Sequence, residues 1–417
     1  MIGYNDALAI LRNVCRPLPV QRLACAPGLV LAEDVFSDAA LPPFDNAAMD
    51  GFALCVGTAG AAAGSCYPVA GAQAAGDAGL QAQPGVAWEI MTGARMPEGL
   101  DAVIPVEQVE VLERASDGRA LRIRLQADLP QGQHVRRAGE DVARGERVLT
   151  AGTRIAAPQQ MLLAALGVAE IAARRPPRVA LLNTGRELVD DPMQPLASGQ
   201  IRNSNGPFLA ARIADAGAVL VVRETVADDP ADFLNALERA LAAGADVLLS
   251  TGAVSMGRYD FVPDALRQIG ATIHFHKVRI RPGKPVLFAT LPGGALFFGL
   301  PGNPVSSAVG LRFFVEPALR MLTGLPPERP LKLPLSAPYG KRQGVRVHLK
   351  GRVMPDAAGR LWAQVLPGQE SFRIAPLAWS NAWIVLDEPD ADLPAGTSVE
   401  VYPVGHLSGF QLNEGLG

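Results

Sequence analysis

Arg178-Val179-Ala180-Leu181-Leu182-Asn183 is an apolar run of buried-strand length, and Thr184-Gly185-Arg186-Glu187-Leu188 follows it as a polar loop. A strand without hydrophobic alternation is covered on both faces, which is the habit of parallel sheets. The sequence downstream keeps this rhythm. Gly206 to Ala216 reads as a helix and Ala218 to Arg223 as a strand; Pro230 to Ala243 is a helix with Phe233, Leu234, Leu237, Ala240 and Leu241 on one face. Asp246 to Ser250 is the next strand, followed by a helix from about Phe261 to Ile269 and strands near 272–280, 285–290 and 295–299. A helix from Pro304 to Leu322 closes the series. Strands alternating with helices imply right-handed crossovers and a largely parallel, doubly wound sheet.

Double prolines bracket this region at Pro176-Pro177 and Pro326-Pro327, dividing the 417 residues into thirds. The first third is irregular and rich in Gly, Ala and Pro, with short runs such as Ala102-Val103-Ile104-Pro105-Val106 and the alternating Leu121-Arg122-Ile123-Arg124-Leu125; it reads as mostly β with a helix near 158–166. In the last third Val345 to Val353, Leu361 to Leu366, Ala382 to Leu386 and Ser398 to Tyr402 are strand-like, which suits a small β-barrel or sandwich. Apolar residues make up 49% and charged residues 19%, so the chain has the material for sizeable cores. With 38 basic and 41 acidic residues the net charge is −3, which leaves no basic excess for a nucleic-acid backbone. Cys15, Cys25, Cys55 and Cys66 form no Cys-x-x-Cys pair, and the first twenty residues lack a signal-peptide pattern. The expected compartment is the cytoplasm. The charge-free stretches Gly51 to Gly76 and Pro285 to Leu311 are broken by Gly, Ala and Pro and are not read as membrane spans.

Ligands of doubly wound sheets bind outside the carboxyl ends of the strands, so the loops there are the candidates. Thr251-Gly252-Ala253-Val254-Ser255-Met256-Gly257-Arg258-Tyr259-Asp260 offers backbone N–H groups and a helix start to an anion. It equally reads as a plain turn with Asp260 as N-cap. Glu187 suits a hydrated Mg²⁺, which takes one or two carboxylates plus ligand phosphates, or is a solvated loop acid. Asp228-Asp229-Pro230 is what a helix start needs for its own sake. Lys277, Arg279 and Arg281 alternate along an expected strand ending in Pro282-Gly283-Lys284, which places three cations on one face where an anion would relieve their repulsion. His274 and His276 share a face without a third ligand nearby and are assigned to the strand rather than to zinc. Pro301-Gly302-Asn303-Pro304 places Asn303 as N-cap and Pro304 at the first helical position, a stiff lip for a ligand or an ordinary helix start.

The loops TGRELV, STGAVSMGRYDFV, KVRIRPGKP and GLPGNPVSS, in this order, resemble those of the molybdopterin molybdenumtransferase family (MoeA and the C-terminal part of gephyrin). Pro42-Pro43-Phe44-Asp45-Asn46-Ala47-Ala48-Met49-Asp50-Gly51-Phe52-Ala53, Ile90-Met91-Thr92-Gly93-Ala94 and Gly139-Glu140-Asp141-Val142 extend the resemblance through the first third. It implies a multidomain α/β and β fold. Residues 1–25 would be a helical segment packed on the α/β domain, 26–41 and 139–173 a discontinuous linker domain, and 42–138 an inserted β-rich domain. Residues 174–325 would be the doubly wound molybdopterin-binding α/β domain, and 326–417 a C-terminal small β-barrel.

The implied reaction takes adenylylated molybdopterin, cleaves its phosphoanhydride, inserts molybdate and releases AMP, with Mg²⁺ as the metal. The implied assembly is a homodimer supplied by a molybdopterin adenylyltransferase. Carried over by position, Thr251, Gly252, Ser255 and Gly257 would cradle phosphate, Glu187 and Asp260 would support the metal, and Asp229 would be a further acid. Lys277, Arg281 and Lys284 would meet the anions, while Pro301, Asn303 and Pro304 would line the cleft. Asp50 and Thr92 would reach in from the partner subunit, and Ser371 would be a further contact. Arg281 stands where many members have Lys, and Lys350 where the family often has Arg. Two other readings compete. An adenylyltransferase shares the α/β domain but lacks the first third, and a non-catalytic molybdopterin-binding scaffold would suit a further anchoring domain or long linker, neither of which this sequence shows.

Overall fold

The computed structural model describes residues 1–254 and 261–412 and divides into two compact units. One comprises Met1–Gln21, Gly28–Ala32 and Ala172–Gly417, the other Arg22–Pro27 and Glu33–Ile171.

In the first unit the decisive run forms β1 (Arg178–Thr184), with Val179, Ala180, Leu181 and Leu182 fully buried, as a strand covered on both faces requires. Then follow α2 (Asn205–Asp215), β2 (Val219–Val226), α3 (Pro230–Ala242), β3 (Val247–Thr251), α4 (Val262–Gln268), β4 (Thr272–His276), β5 (Leu287–Thr290) and β6 (Leu296–Leu300); α1 (Tyr4–Val14) precedes them. The sheet order is β2-β1-β3-β6-β5-β4. β2, β1, β3 and β6 run parallel, whereas β5 joins antiparallel to β6 and β4 antiparallel to β5 at one edge. A tight turn makes that edge: Leu291 N–H reaches Ala295 O at 2.8 Å while Gly293 and Gly294 take φ of 92° and 94°, a region closed to most side chains. Helix α3 starts on Asp229, whose Oδ1 accepts the N–H groups of Ala231 and Asp232, and buries Phe233, Leu237 and Ala240 on the anticipated face. On the other side of the sheet Tyr4, Ala7 and Leu11 of α1 share a core with Val179, Leu181, Leu249 and Phe298.

The expected strand carrying three cations on one face does not form. β4 stops at His276, Lys277 has φ 81°, and Ile280–Arg281 pairs instead with Arg346–Val347 of the C-terminal sheet. The chain leaves the sheet here because Ile2 inserts beside Val278, accepting from Arg279 N–H at 2.9 Å and donating to Lys277 O at 3.2 Å. Arg279 turns to Glu388 at 3.8 Å.

The expected helix from Pro304 is α5 (Pro304–Gly310), a π-helical stretch (Leu311–Val315) and α6 (Glu316–Thr323). Arg312 in the π-helical stretch and Glu316 at the start of α6 are 2% and 0% exposed. Arg312 forks onto Glu328 at 2.9 and 2.6 Å and donates to Pro403 O, while Glu316 takes Arg212 at 2.6 Å and His406 N–H at 2.9 Å. The helix is thereby tied to the end of the last strand. That strand belongs to a barrel of β7 (Leu331–Pro334), β8 (Arg346–Pro355), β9 (Leu361–Val365), β10 (Ala382–Leu386) and β11 (Ser398–Pro403). β8 pairs with β9 and β10, β10 with β11 and β11 with β7, and Leu335 closes the ring beside Ala363. Val347, Leu349, Ile384 and Val401 fill its interior.

The second unit is β-rich. Its sheet runs Ala102–Pro105, Gly51–Leu54, Ala87–Ile90, Cys66–Gln73, Ala120–Leu125, Val109–Arg114. Short pairings of Val35–Phe36 with Arg147–Leu149 and of Leu41 with Val142 bring its two chain passages together. Gly51 is obligatory, because a Cβ there would lie 1.9 Å from Ile104 O. No helix among the described residues is long and apolar enough to cross a membrane.

Replacing Glu316 by Ala leaves buried guanidinium groups without their shared carboxylate, and a loss of about 3–5 kcal/mol of stability is expected. Thermal unfolding of Glu316→Ala should show a clearly lower midpoint; an unchanged midpoint would mean that the cluster adds no net stability.

Candidate active site at the carboxyl ends of the sheet

The parallel strands end at one level, and their loops are knitted together there. Asn183 Nδ2 donates to Thr251 Oγ1 at 2.7 Å and Thr184 Oγ1 to Thr251 O at 3.0 Å, tying the end of β1 to that of β3. Gly185 N–H reaches Val226 O at 3.2 Å and Arg186 N–H reaches Asp228 Oδ2 at 3.3 Å, which joins the loops after β1 and β2. Gly252 N–H bonds Leu300 O at 3.0 Å, and Asn205 Nδ2 bonds Gly302 O at 2.8 Å.

Glycines permit this crowding. Gly252 has φ 92°, and a Cβ on it would come 2.7 Å from Thr184 Oγ1. A Cβ on Gly302 would touch the Gly252 Cα at 3.9 Å, so two loop backbones pass each other closely. Beneath them Val254 O meets His276 Nε2 at 2.6 Å, and His274 Nε2 meets Thr290 Oγ1 at 2.8 Å; both histidines serve the strand, as anticipated.

Thr251 is 2% exposed with its hydroxyl committed to Asn183, so it supports the loop from below. The Glu187 carboxylate folds back over Gly185, where a Cβ would meet Oε1 at 2.8 Å. Among the described residues no side chain or backbone donor holds that carboxylate, and no group of three or more His, Cys, Asp or Glu side chains is arranged for a metal. Asp229 spends Oδ1 on capping α3. Asn303 occupies the cap position of α5 without a side-chain bond, and Pro304 begins the helix. Ser307 Oγ donates to Pro301 O and fixes the lip. Ser255, Gly257 and Asp260 lie outside the described residues, and the cap position of α4 is Phe261.

A second feature adjoins this cluster through α5. A cavity of about 630 Å³ is lined by Arg281, Lys284, Ser306, Tyr339, Lys341 and the wall 369–372, which includes Ser371. Gly283 brings the cation-bearing loop against α5, since a Cβ there would lie 3.3 Å from Ser306 O. Ser371 O accepts from Val305 N–H at 3.1 Å, docking the opposite wall on the same turn. Burial pushes the Tyr339 hydroxyl above its ordinary pKa, opposed by the Arg281 charge, and burial lowers Lys341 against the pull of nearby carboxylates. Arg281, Lys284 and Ser371 thus come together, whereas Lys277 is not among the lining residues. Sequence reading missed Ser306, Tyr339 and Lys341; the basic Gly340-Lys341-Arg342 turn was the available signal. Lys350, flagged as a departure, is fully buried.

In the second unit Asp50 and Thr92 are brought together. Thr92 N–H and Oγ1 both donate to Asp50 Oδ1, at 2.6 and 2.7 Å, and these bonds hold the Asp50 carboxyl below the usual carboxylate range.

A doubly wound α/β sheet with polar loops gathered at its carboxyl edge, a terminal barrel and a separate β-rich unit define a multidomain α/β and β protein. Family models agree: "MoeA N-terminal region (domain I and II)" matches residues 2–167, "Probable molybdopterin binding domain" 180–321 and "MoeA C-terminal region (domain IV)" 331–404. The chain is 39% identical over 411 residues to a molybdopterin molybdenumtransferase of Synechococcus elongatus, covering 96% of this chain and 99% of that one. It is 35% identical over 402 residues to the Haemophilus influenzae protein of that name, covering 94% and 96%. The crystal structure of a molybdopterin biosynthesis MoeA protein from Pyrococcus horikoshii matches with a TM-score of 0.77 at 26% identity, over 96% of this chain and 99% of that one. The chain belongs to the molybdopterin molybdenumtransferase (MoeA) family.

Two outcomes are expected. Gly252→Ala has neither the space nor the backbone freedom it needs, so activity should fall at least about tenfold while the far-UV spectrum stays native; full activity would show that the loop tolerates rearrangement. Thr92→Val removes the hydroxyl donor and keeps the N–H, so the Asp50 pKa should rise toward the ordinary carboxylate value in an NMR titration; an unmoved pKa would mean that the hydroxyl bond has no influence.

Proposed function

We propose that this chain inserts molybdate into adenylylated molybdopterin with cleavage of the phosphoanhydride, releasing AMP and the molybdenum cofactor. One observation carries the reading. A single turn of α5 has Asn303 beside the knitted loops 252 and 302 and Ser306 in the cavity with Arg281 and Lys284. A phosphate-bearing ligand and a tetrahedral oxyanion could therefore meet across one helical turn.

The roles follow from charge and position. The 251–260 loop, through Gly252, Ser255 and Gly257, would present backbone N–H groups to the phosphates above Thr251. Arg281 and Lys284, with Ser371 and Ser306, would hold molybdate; Lys277, outside that lining, would neutralise the phosphoanhydride instead. Pro301, Asn303 and Pro304 would fix the lip along which the ligand lies. Asp229 keeps Oδ2 for a contact beyond its cap. Cleavage of a phosphoanhydride is chiefly positioning and charge stabilisation, which this donor set suits.

The lone Glu187 carboxylate, unclaimed among the described residues, fits Mg²⁺, which would be held with Asp260 and would offset phosphate charge when bound. Asp50 and Thr92 would act from the partner subunit of a homodimer. An adenylyltransferase would supply the substrate in a reducing cytoplasm, where the four free cysteines are stable. The domain limits proposed are 1–25, 26–41 with 139–173, 42–138, 174–325 and 326–417.

The test is AMP release from adenylylated molybdopterin with Mg²⁺, with and without molybdate, alongside reactivation of a cofactor-free molybdoenzyme. Molybdate-dependent release with reactivation is expected, and Asp260→Asn should abolish it in a folded protein. Binding without release would overturn the reading in favour of a scaffold.

A further inference from the structure

Lys277 leaves strand geometry just where β4 ends. Its φ is 81°, a left-handed conformation that an L side chain adopts at a cost, and Ala253 takes φ 50° in the loop after β3. His276 joins the two places, since its Nε2 meets Val254 O at 2.6 Å. β4 is antiparallel to β5 and β5 to β6, so β4 runs in the same direction as β6 and β3. Lys277 therefore follows a strand that ends at the carboxyl edge, next to the 252–254 loop. Backbone held in such a conformation persists only where its surroundings enforce it, and it gathers at functional sites.

Two neighbours enforce it here. On one side the returning arm of the same hairpin takes Lys277 N–H on Val286 O at 3.0 Å and Val278 N–H on Lys284 O at 2.9 Å. On the other side stands Ile2, whose N–H donates to Lys277 O at 3.2 Å and whose carbonyl accepts from Arg279 N–H at 2.9 Å. Ile2 thus clamps both peptide groups that flank Val278, and a rotation at Lys277 would swing its carbonyl off the Ile2 N–H. Ile2 has its own anchor behind it. Gly3 N–H bonds Asp6 Oδ2 at 3.1 Å, Tyr4 N–H bonds Glu388 Oε1 at 3.4 Å, and α1 buries Tyr4, Ala7 and Leu11. Arg281 is held separately, because Ile280–Arg281 pairs with Arg346–Val347.

We propose that Ile2 is a positioning residue: its main chain is a strap that keeps Lys277 in the left-handed conformation and so holds this cation at the carboxyl edge beside the 252–254 loop. This rests on reading Lys277 as the cation that neutralises the phosphoanhydride. Ile2 does not touch the ligand; it acts through the backbone of Lys277, and its reach ends before Arg281.

The experiment measures steady-state AMP release from adenylylated molybdopterin in the full chain. Deleting Ile2 and Gly3, which joins Met1 to Tyr4, should lower kcat about tenfold or more and leave the KM for molybdate unchanged, since Arg281 keeps its own pairing. Ile2→Gln, which keeps both main-chain bonds and loses the apolar side chain, should stay within about twofold of the parent kcat. In a Lys277→Ala background the deletion should add nothing. Losses that multiply there would mean that Ile2 acts through another group and would overturn the proposal. A normal kcat in the deletion variant, a raised KM for molybdate, or an equal loss in Ile2→Gln would overturn it too. Inserting two glycines between Gly3 and Tyr4, which slackens the strap, replaces the deletion if that variant does not fold and should lower kcat in the same direction. Lys277→Ala alone separates the two levels: unchanged AMP release there overturns the role of Lys277 itself, whereas a loss there with a normal deletion variant overturns only the strap.

Discussion

Asn183 pairs with Thr225 on one side and with Thr251 on the other, and Thr251 pairs in turn with Leu300. Parallel strands share direction as well as register, so all four leave the sheet at the same edge and level. Every feature of the candidate site depends on that alignment. It lets Asn183 reach the Thr251 hydroxyl, sets the Gly252 backbone against Thr184, and brings Gly302 over Gly252. A slip of one residue would exchange the two faces of β1; both are apolar and buried, so the slip would be felt at the polar end, where Asn183 would lose the Thr251 hydroxyl.

A second constraint holds the barrel to this sheet. Burying Arg312 and Glu316 is unfavourable unless each is fully partnered, and their partners come from elsewhere in the chain: Glu328, Pro403, Arg212 and His406. The charges therefore specify one way of docking the last strand on the helix that begins at Pro304. His348 joins this interface, its ring tilted against Phe313 with centroids 4.3 Å apart and edge-on to Tyr4 at 5.8 Å, and burial keeps its imidazole pKa well below the ordinary value. The cation-lined cavity is a product of that docking, since one wall is the loop after β4 and the other belongs to the barrel.

Periodicity alone was enough to place β1, α3 and β10 within about a residue, because each buries a face or a whole segment and so must carry the matching pattern. It was misleading at Lys277, Arg279 and Arg281. There the alternation of cations looked like a strand, but main-chain pairing with Ile2 and with Arg346–Val347 redirected the chain, and those partners lie far away in sequence. The antiparallel edge of the sheet was hidden for the same reason: a short strand reads alike in either direction.

Of the candidate site, the sequence by itself determined the loops at the carboxyl edge, because Gly, Asn and Pro at fixed positions answer to local backbone geometry. It also singled out Asp50 and Thr92, through resemblance of the flanking motifs, whereas the bonds between them are a finding of the structure. Only the tertiary structure decided which cations act together. Arg281 and Lys284 face Ser306 and Ser371, Arg279 turns to Glu388, and Lys350 is folded inward onto three carbonyl groups. A charged side chain has no fixed partner in the sequence; what it meets depends on which distant segments cover it and on whether they offer carboxylates, carbonyl oxygens or an open cavity.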